Sequence, residues 1–148
     1  MSSEFLFEPR LKESVNGRLI FDPVRMKWVL LTPEEWVRQY FIAYLSRVYG
    51  FPVSLMKCES GLVGVGKAKR SDLILHGTEG QVLMLCEFKR KGEPLDDSVV
   101  FQVARYNREL KAGVILLSNG EQQRLIRVDQ RTGHLSELND IPLFEHLT

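Results

Sequence analysis

The chain has 148 residues, of which 44% are hydrophobic and 26% are charged, and its formal net charge is +1. This length suits one domain that buries about two thirds of its unfolded surface, and the composition is that of a soluble globular protein. A nearly neutral charge does not support a protein that coats nucleic acid by bulk charge, although a local basic patch is compatible with it. We expect a cytoplasmic protein without a membrane partner, because the N-terminus lacks a secretory signal and no apolar run approaches the ~20 residues of a membrane span.

The metal-binding residue types that zinc prefers are scattered. The cysteines Cys58 and Cys86 do not have a metal-ligand spacing, and we expect them to be reduced thiols rather than a disulfide. The histidines are equally dispersed along the chain, so zinc is not expected.

The first part of the chain predicts an arm, a hairpin and a helix. Residues 1–17 have no clear period and are expected to form an arm before a single domain at residues 18–148. Two short apolar runs around Asp22 and Pro23 indicate a hairpin. Thr32 then provides an N-cap, followed by proline at the first helical position and Glu35 at the third. This helix is predicted to end at Gly50.

The rest of the chain alternates strands with one further helix. Strands are expected at residues 53–60, 72–76 and 81–89, with a turn at residues 77–80. Residues 82–86 are apolar without alternation, which is typical of a strand covered on both faces. A helix at residues 98–111 and a strand at residues 113–118 complete a parallel crossover. Edge strands at residues 123–128 and 134–138 and a last turn at residues 144–147 follow, which predicts an α/β or α+β fold.

The stretch GLVGVGKAKRSD, at residues 61–72, resembles a phosphate-binding loop only superficially. That loop requires a Ser or Thr after its lysine and then a helix. Ala68 removes the hydroxyl, and the residues from Asp72 onward indicate a strand. The glycines are therefore expected to bend or end a strand.

Two carboxylates and a lysine are predicted to converge at one end of the 72–89 hairpin. If the turn sets His76 opposite Gln81, Asp72 lies opposite Leu85 and one diagonal step from Glu87. Residues i and i+2 of a strand share a face, so Lys89 joins Glu87. Hard Mg²⁺ suits such a site, with one or two carboxylates and the remaining positions left to water and phosphate. The alternative is that these are strand-end charges that meet solvent or pair with neighbouring cations.

Five separated blocks carry a resemblance to a known family: FDPVRMKWVLLTPEEWVRQYFIAYL, KAKRSDLIL, LCEFKRKGE, FQVARYN and VILLSNG. In this order the blocks resemble the N-terminal nuclease domain of type I restriction enzyme R subunits, in a small stand-alone variant within the PD-(D/E)XK nuclease superfamily. The resemblance implies a restriction-endonuclease-like fold with a central mixed β-sheet flanked by helices. The proline of the superfamily name is replaced by Ser71, which is a minor departure.

The resemblance also implies roles for individual residues. Asp72 and Glu87 match the two acidic metal ligands for Mg²⁺, with Mn²⁺ as a substitute, and Lys89 matches the lysine of the motif. Gln102 and Tyr106 match a glutamine and a tyrosine that line the active site in related nucleases. Glu35 matches a further glutamate of the first helix, but its place in the capping box accounts for it equally well.

The implied activity is Mg²⁺-dependent hydrolysis of DNA, related to restriction or repair. A basic patch around the acidic centre is expected to contact the phosphate backbone, and its members are Lys67, Lys69, Arg70, Arg90 and Lys91, with Tyr106 beside them. A homodimer, or a motor or specificity partner in trans, would complete the enzyme. Two alternatives stay open: a non-catalytic DNA-binding or assembly module that retains the nuclease fold, and a folded protein whose carboxylates only pair with nearby cations.

Overall fold

A three-stranded antiparallel sheet begins the chain. The computed structural model describes residues 5–59 and 72–148. Strands β1 (Leu11–Ser14), β2 (Gly17–Asp22) and β3 (Lys27–Leu30) pair in that order, which confirms the hairpin. The N-terminal arm expected at residues 1–17 contains β1, a strand that the sequence did not indicate. All four residues of β1 are exposed, and a strand without a buried face leaves no alternation to detect.

Helix α1 (Pro33–Tyr49) follows as predicted. The side chain of Thr32 accepts a hydrogen bond from the backbone N–H of Glu35 at 3.0 Å, which is the N-cap half of the expected capping box. The Glu35 carboxylate bonds elsewhere, so the reciprocal half of the box does not form. The helix ends at Gly50, whose φ of 80° places it in the left-handed region, where glycine avoids the steric cost that other residues meet. The capping signals therefore predict both ends of α1 from local sequence.

A six-stranded mixed sheet forms the centre of the fold, in the order β4-β5-β6-β7-β8-β9. Strands β6 and β7 are parallel and are connected by helix α2 (Asp97–Leu110), while the other neighbours are antiparallel. A 3-10 turn at Val53–Leu55 occupies the first part of the strand expected at residues 53–60. The remaining elements are β4 (Met56–Glu59), β5 (Asp72–His76), β6 (Val82–Phe88), β7 (Val114–Ser118), β8 (Gln123–Val128), β9 (Leu135–Glu137) and helix α3 (Phe144–Leu147).

Apolar clusters cover both faces of the central sheet. On one face, Cys86 and Phe88 of β6 pack with Phe41 and other residues of α1. On the opposite face, Leu85 packs with Val103 and other residues of α2. We call these the α1 side and the α2 side. The prediction that β6 is buried on both faces is confirmed. None of the helices in the described part of the chain has the length and hydropathy needed to cross a bilayer.

The pairing of β5 with β6 differs from the expected register. His76 pairs with Val82 rather than with Gln81, and an irregularity between Leu75 and His76 shifts the pairing by one further residue. The expected position of Asp72 opposite Leu85 is therefore wrong, because the Cα partner of Asp72 is Glu87. Hydrophobic patterns cannot reveal a bulge that adds one residue to one strand. The two shifts together change the diagonal relation of Asp72 and Glu87 into a direct one.

Candidate active site

The ends of three neighbouring strands bring acidic residues together at one edge of the sheet. Glu59 of β4, Asp72 of β5 and Glu87 of β6 are consecutive Cα partners across the sheet. Glu87 is only 3% exposed, and its partner on β7 is Leu117, a member of the cluster on the α2 side. A buried carboxylate therefore lies at the end of a central strand, with acidic residues at the paired positions beside it.

Lys89 lies directly beside this carboxylate. Its backbone N–H donates to the carbonyl of Ser118 at 2.8 Å, which continues the pairing of β6 and β7 beyond the last strand residue. Its Nζ is 3.2 Å from Oε1 of Glu87 and 3.9 Å from Oε2 of Glu93. The side chain is 20% exposed, so the ammonium group lies between two carboxylates and still reaches solvent.

Asn119 connects the two loops that border the site, and sequence reasoning missed both it and Glu93. The Asn119 side chain is buried, and its Nδ2 donates to the backbone carbonyl of Glu93 at 2.8 Å. Its Oδ1 accepts from the backbone N–H groups of Glu121 and Gln122 at 2.9 and 2.8 Å. One amide therefore holds the loop after β7 against the loop that carries Lys89 and Glu93. The available signal was the polar end of the block VILLSNG, where an asparagine directly follows a buried strand.

Helix α2 presents the two residues that were predicted to line the site. The helix starts after the N-cap Asp96, whose side chain accepts a hydrogen bond from the Val99 N–H at 3.1 Å. Gln102 is exposed. Tyr106 is partly buried and packs against the cluster on the α2 side. Both residues therefore belong to the helix that covers the face of the sheet on which Glu87 lies.

Glu35 is engaged in a buried network of charges between the N-terminal sheet and α1. Its Oε1 accepts from Arg25 at 2.8 Å and also from Arg38, and its Oε2 accepts from Gln39 at 3.0 Å. Arg25 also pairs with Asp22, whose Oδ2 is 3.8 Å from the Sγ of Cys58. None of these partners is another predicted site residue. The network attaches the β2–β3 turn to α1 and to β4.

The same network shifts two pKa values. Burial alone would raise the pKa of Glu35, but the charge of Arg38 and the hydrogen bonds from Arg25 and Gln39 more than offset it, so the pKa of Glu35 is lowered. Burial, followed by the nearby Asp22 carboxylate, raises the pKa of the Cys58 thiol to about 12. Glu35 is therefore a charged carboxylate at neutral pH, whereas Cys58 is a neutral thiol.

The predicted basic patch is described only in part. Arg90 and Lys91 are exposed immediately after β6. Lys67, Lys69 and Arg70 lie outside the described residues, as does the side chain of Asp72. The two described cations of the patch thus follow Glu87 and Lys89 directly, at the same edge of the sheet.

The residues at the end of β6 would suit Mg²⁺, an ion that does not need a closed protein cage. Among the side chains that the structure describes, no group of three or more His, Cys, Asp or Glu residues is placed to hold a metal. Mg²⁺ is commonly held by one or two carboxylates, with water and substrate oxygens in its other positions. Glu87 is buried at the end of β6, and its Cα partner is Asp72, so these two positions would be the ones to hold such an ion.

A mixed sheet with a parallel central pair and a covering helix on each face defines the class of the fold, which is restriction-endonuclease-like. The chain belongs to the family described as type I restriction enzyme R protein N terminus, whose model matches residues 33–142. No curated protein and no solved structure significantly matches the chain. Membership of this family supports a restriction-related and nuclease-related role.

Proposed function

We propose that this protein is a Mg²⁺-dependent nuclease that hydrolyses phosphodiester bonds in DNA, in restriction or repair. The observation that supports the proposal most is the arrangement at the end of β6. Glu87 is buried there, its Cα partner is Asp72, and the Nζ of Lys89 is 3.2 Å from its carboxylate. Family membership over residues 33–142 agrees with this reading.

Asp72 and Glu87 would hold the metal ion. Cross-strand partners carry their side chains on the same face of a sheet, with Cβ atoms about 4.5–5.5 Å apart, which suits two carboxylates that share one ion. When bound, Mg²⁺ would supply Lewis-acid stabilisation of the phosphoryl group and an activated water, and Mn²⁺ would substitute for it. The burial of Glu87 limits competition from bulk water for this carboxylate.

Lys89 would stabilise the negative charge that develops on the phosphate. Its ammonium group is held by Glu87 and Glu93 and remains partly exposed, so it can meet a substrate oxygen without leaving its ion pairs. A fixed cation is effective in such a position because it needs little reorganisation during the reaction. Gln102 and Tyr106 of α2 would position the attacking water or the phosphate.

Cations around the acidic centre would hold the DNA backbone. Arg90 and Lys91 follow β6 and are exposed, and Lys67, Lys69 and Arg70 would extend the patch before β5. Contacts of this kind neutralise phosphates without reading bases. A second copy of the chain, or a motor or specificity partner in trans, would complete an enzyme that cuts both strands.

Glu35 would act by holding the fold rather than by binding metal. Both of its carboxylate oxygens already accept hydrogen bonds from Arg25, Arg38 or Gln39. Metal ligation would require breaking these buried contacts, which is costly. We therefore assign Glu35 to the support of the N-terminal sheet.

A cleavage assay tests the proposal. Supercoiled and linear DNA are incubated with the protein and Mg²⁺ or Mn²⁺, with a chelator control. The variants are Asp72→Asn, Glu87→Gln and, as a matched control, Glu145→Gln, which removes an exposed carboxylate on α3. Metal-dependent cutting that is lost in the first two variants and kept in the control is the expected result.

Two other results of this assay would each support one of the alternative functions. DNA binding without cutting in any metal would indicate the non-catalytic DNA-binding or assembly module. Absence of both binding and cutting would indicate a protein whose carboxylates only pair with neighbouring cations.

A further inference from the structure

The N-terminal sheet has one face that the core does not cover. On the inner face, Ile20 and Asp22 are fully buried. Residues on the opposite face pair across the strands, with Lys12 next to Leu19, Leu19 next to Leu30, and Phe21 next to Trp28. We call this surface the outer face, and it consists of Arg10, Lys12, Leu19, Phe21, Trp28 and Leu30.

The cations of the outer face are held over its aromatic rings. The guanidinium carbon of Arg10 is 4.5 Å from the ring centroid of Phe21 and 5.4 Å from that of Trp28. The Nζ of Lys12 is 4.3 Å from the Trp28 ring. Stacking on a ring restrains a cation but leaves its N–H groups available for other acceptors.

The outer face carries two cations and no carboxylate from its own three strands. Within β1–β3, which the structure describes in full, no carboxylate occupies an outer-face position. Arg10 and Lys12 form no ion pair with any carboxylate of the described residues, whereas Arg18, on the inner face, pairs with Glu13 at 2.8 Å. Glu8 borders the same cavity as Arg10 and Phe21, so one carboxylate lies at one end of this surface. This surface therefore complements a polyanion.

The N-terminal sheet is attached to the central sheet near the candidate active site. Asp22, on the inner face, is 3.8 Å from the Sγ of Cys58, and Cys58 precedes Glu59, whose Cα partner is Asp72. Two strand spacings of about 4.8 Å each separate Glu59 from Glu87. The outer face is therefore the opposite side of a sheet whose inner face is anchored near the site.

We propose that the outer face binds the DNA substrate, with Arg10 and Lys12 contacting backbone phosphates and the ring and leucine surface packing against nucleotides. This inference rests on the proposed function, since it takes DNA as the substrate. The aromatic and aliphatic surface between the cations favours nucleic acid over an acidic protein, because the sugars and groove edges of DNA offer apolar surface beside the phosphate charge.

Charge-matched double variants test the inference. Binding of a labelled DNA duplex is measured by fluorescence anisotropy in chelator across a series of salt concentrations. Arg10→Gln with Lys12→Gln removes two outer-face cations, and Arg18→Gln with Lys27→Gln removes two from the inner face of the same sheet. The outer-face variant should lower the slope of log affinity against log salt by about 1.8, as expected for two lost phosphate contacts. The inner-face variant should leave the slope unchanged, and equal effects of the two variants would overturn the proposal.

A fluorescence experiment measures directly whether DNA binds at the outer face. The chain has two tryptophans, so Trp36→Phe leaves Trp28 as the only reporter. Duplex DNA should change Trp28 emission, and polyglutamate at equal charge should not. A response to polyglutamate but not to DNA would overturn the proposal in favour of an acidic protein partner.

Both experiments are independent of catalysis. If DNA binds through the outer face but no metal supports cutting, the nuclease proposal fails and the outer-face proposal stands. If cutting occurs and the outer-face variant binds DNA with the wild-type salt dependence, only the outer-face proposal fails.

Discussion

Replacing Glu35 by glutamine should strongly destabilise the protein. The carboxylate accepts from Arg25, Arg38 and Gln39, and glutamine would lose the charge and direct an NH₂ group toward guanidinium donors. Removing one partner of a buried ion pair typically costs about 3–5 kcal/mol. Arg25 keeps Asp22 as a partner, so we expect a loss near the lower end, about 3 kcal/mol. For a domain of this size, such a loss lowers the Tm by about 6–12 °C.

Urea unfolding followed by tryptophan fluorescence measures this effect. Glu34→Gln is the matched control, because it removes a carboxylate from the same helical turn and keeps the Glu35 carboxylate with its bonds to Arg25, Arg38 and Gln39. The pKa of Glu35 is lowered from its ordinary value of 4.5, so its contribution is complete above that pH and is lost as the pH falls through the folded pKa. The difference between wild type and Glu35→Gln should therefore shrink below pH 4.5. Equal free energies of unfolding for Glu35→Gln and Glu34→Gln at pH 7 would refute the structural role.

Three further predictions follow from local contacts. Asn119→Asp replaces the donor to the Glu93 carbonyl with an acceptor, so unfolding in urea should show a loss of about 2 kcal/mol and cleavage assays a slower rate; wild-type values for both would contradict the positioning role. Burial raises the pKa values of Cys58 and Cys86, so both thiols should react slowly with a thiol reagent at pH 8 and rapidly in urea; fast native reaction would be inconsistent with this environment. Gly50→Ala places a side chain at a φ of 80° and should lower stability by about 1 kcal/mol, and an unchanged Tm would show that the helix end adapts.

The sequence predicted elements whose signals are local. The N-cap of α1, the uninterrupted apolar run of β6 and the crossover to β7 each depend on neighbouring residues, and the structure confirms them. The register of β5 on β6 could not be predicted, because a bulge leaves no mark in the hydrophobic pattern. Strand β1 was missed because none of its residues is buried.

In the candidate site too, the sequence predicted the local features and missed the contacts between distant segments. Glu87 and Lys89 were predicted from their spacing on one strand, and the structure places their charged groups 3.2 Å apart. The contacts of Glu93 and Asn119 depend on two loops that are 26 residues apart in sequence, and no periodicity encodes such a contact. The Arg25 partner of Glu35 was also missed, because Arg25 comes from a separate hairpin whose docking only the tertiary structure reveals. The Arg38 partner lies three residues after Glu35 on the same helix, so helical spacing could have indicated it.

Single-turnover cleavage of DNA by Lys89→Ala at saturating Mn²⁺ tests the central claim most directly. Manganese binding by the same variant is measured in parallel by calorimetry, and circular dichroism verifies that it is folded. The proposed roles predict that the variant binds Mn²⁺ with nearly wild-type affinity but cuts at least about 100-fold more slowly, since it lacks only the cation that stabilises the transition state. Cutting at the wild-type rate would contradict the assignment of the active site to Asp72, Glu87 and Lys89.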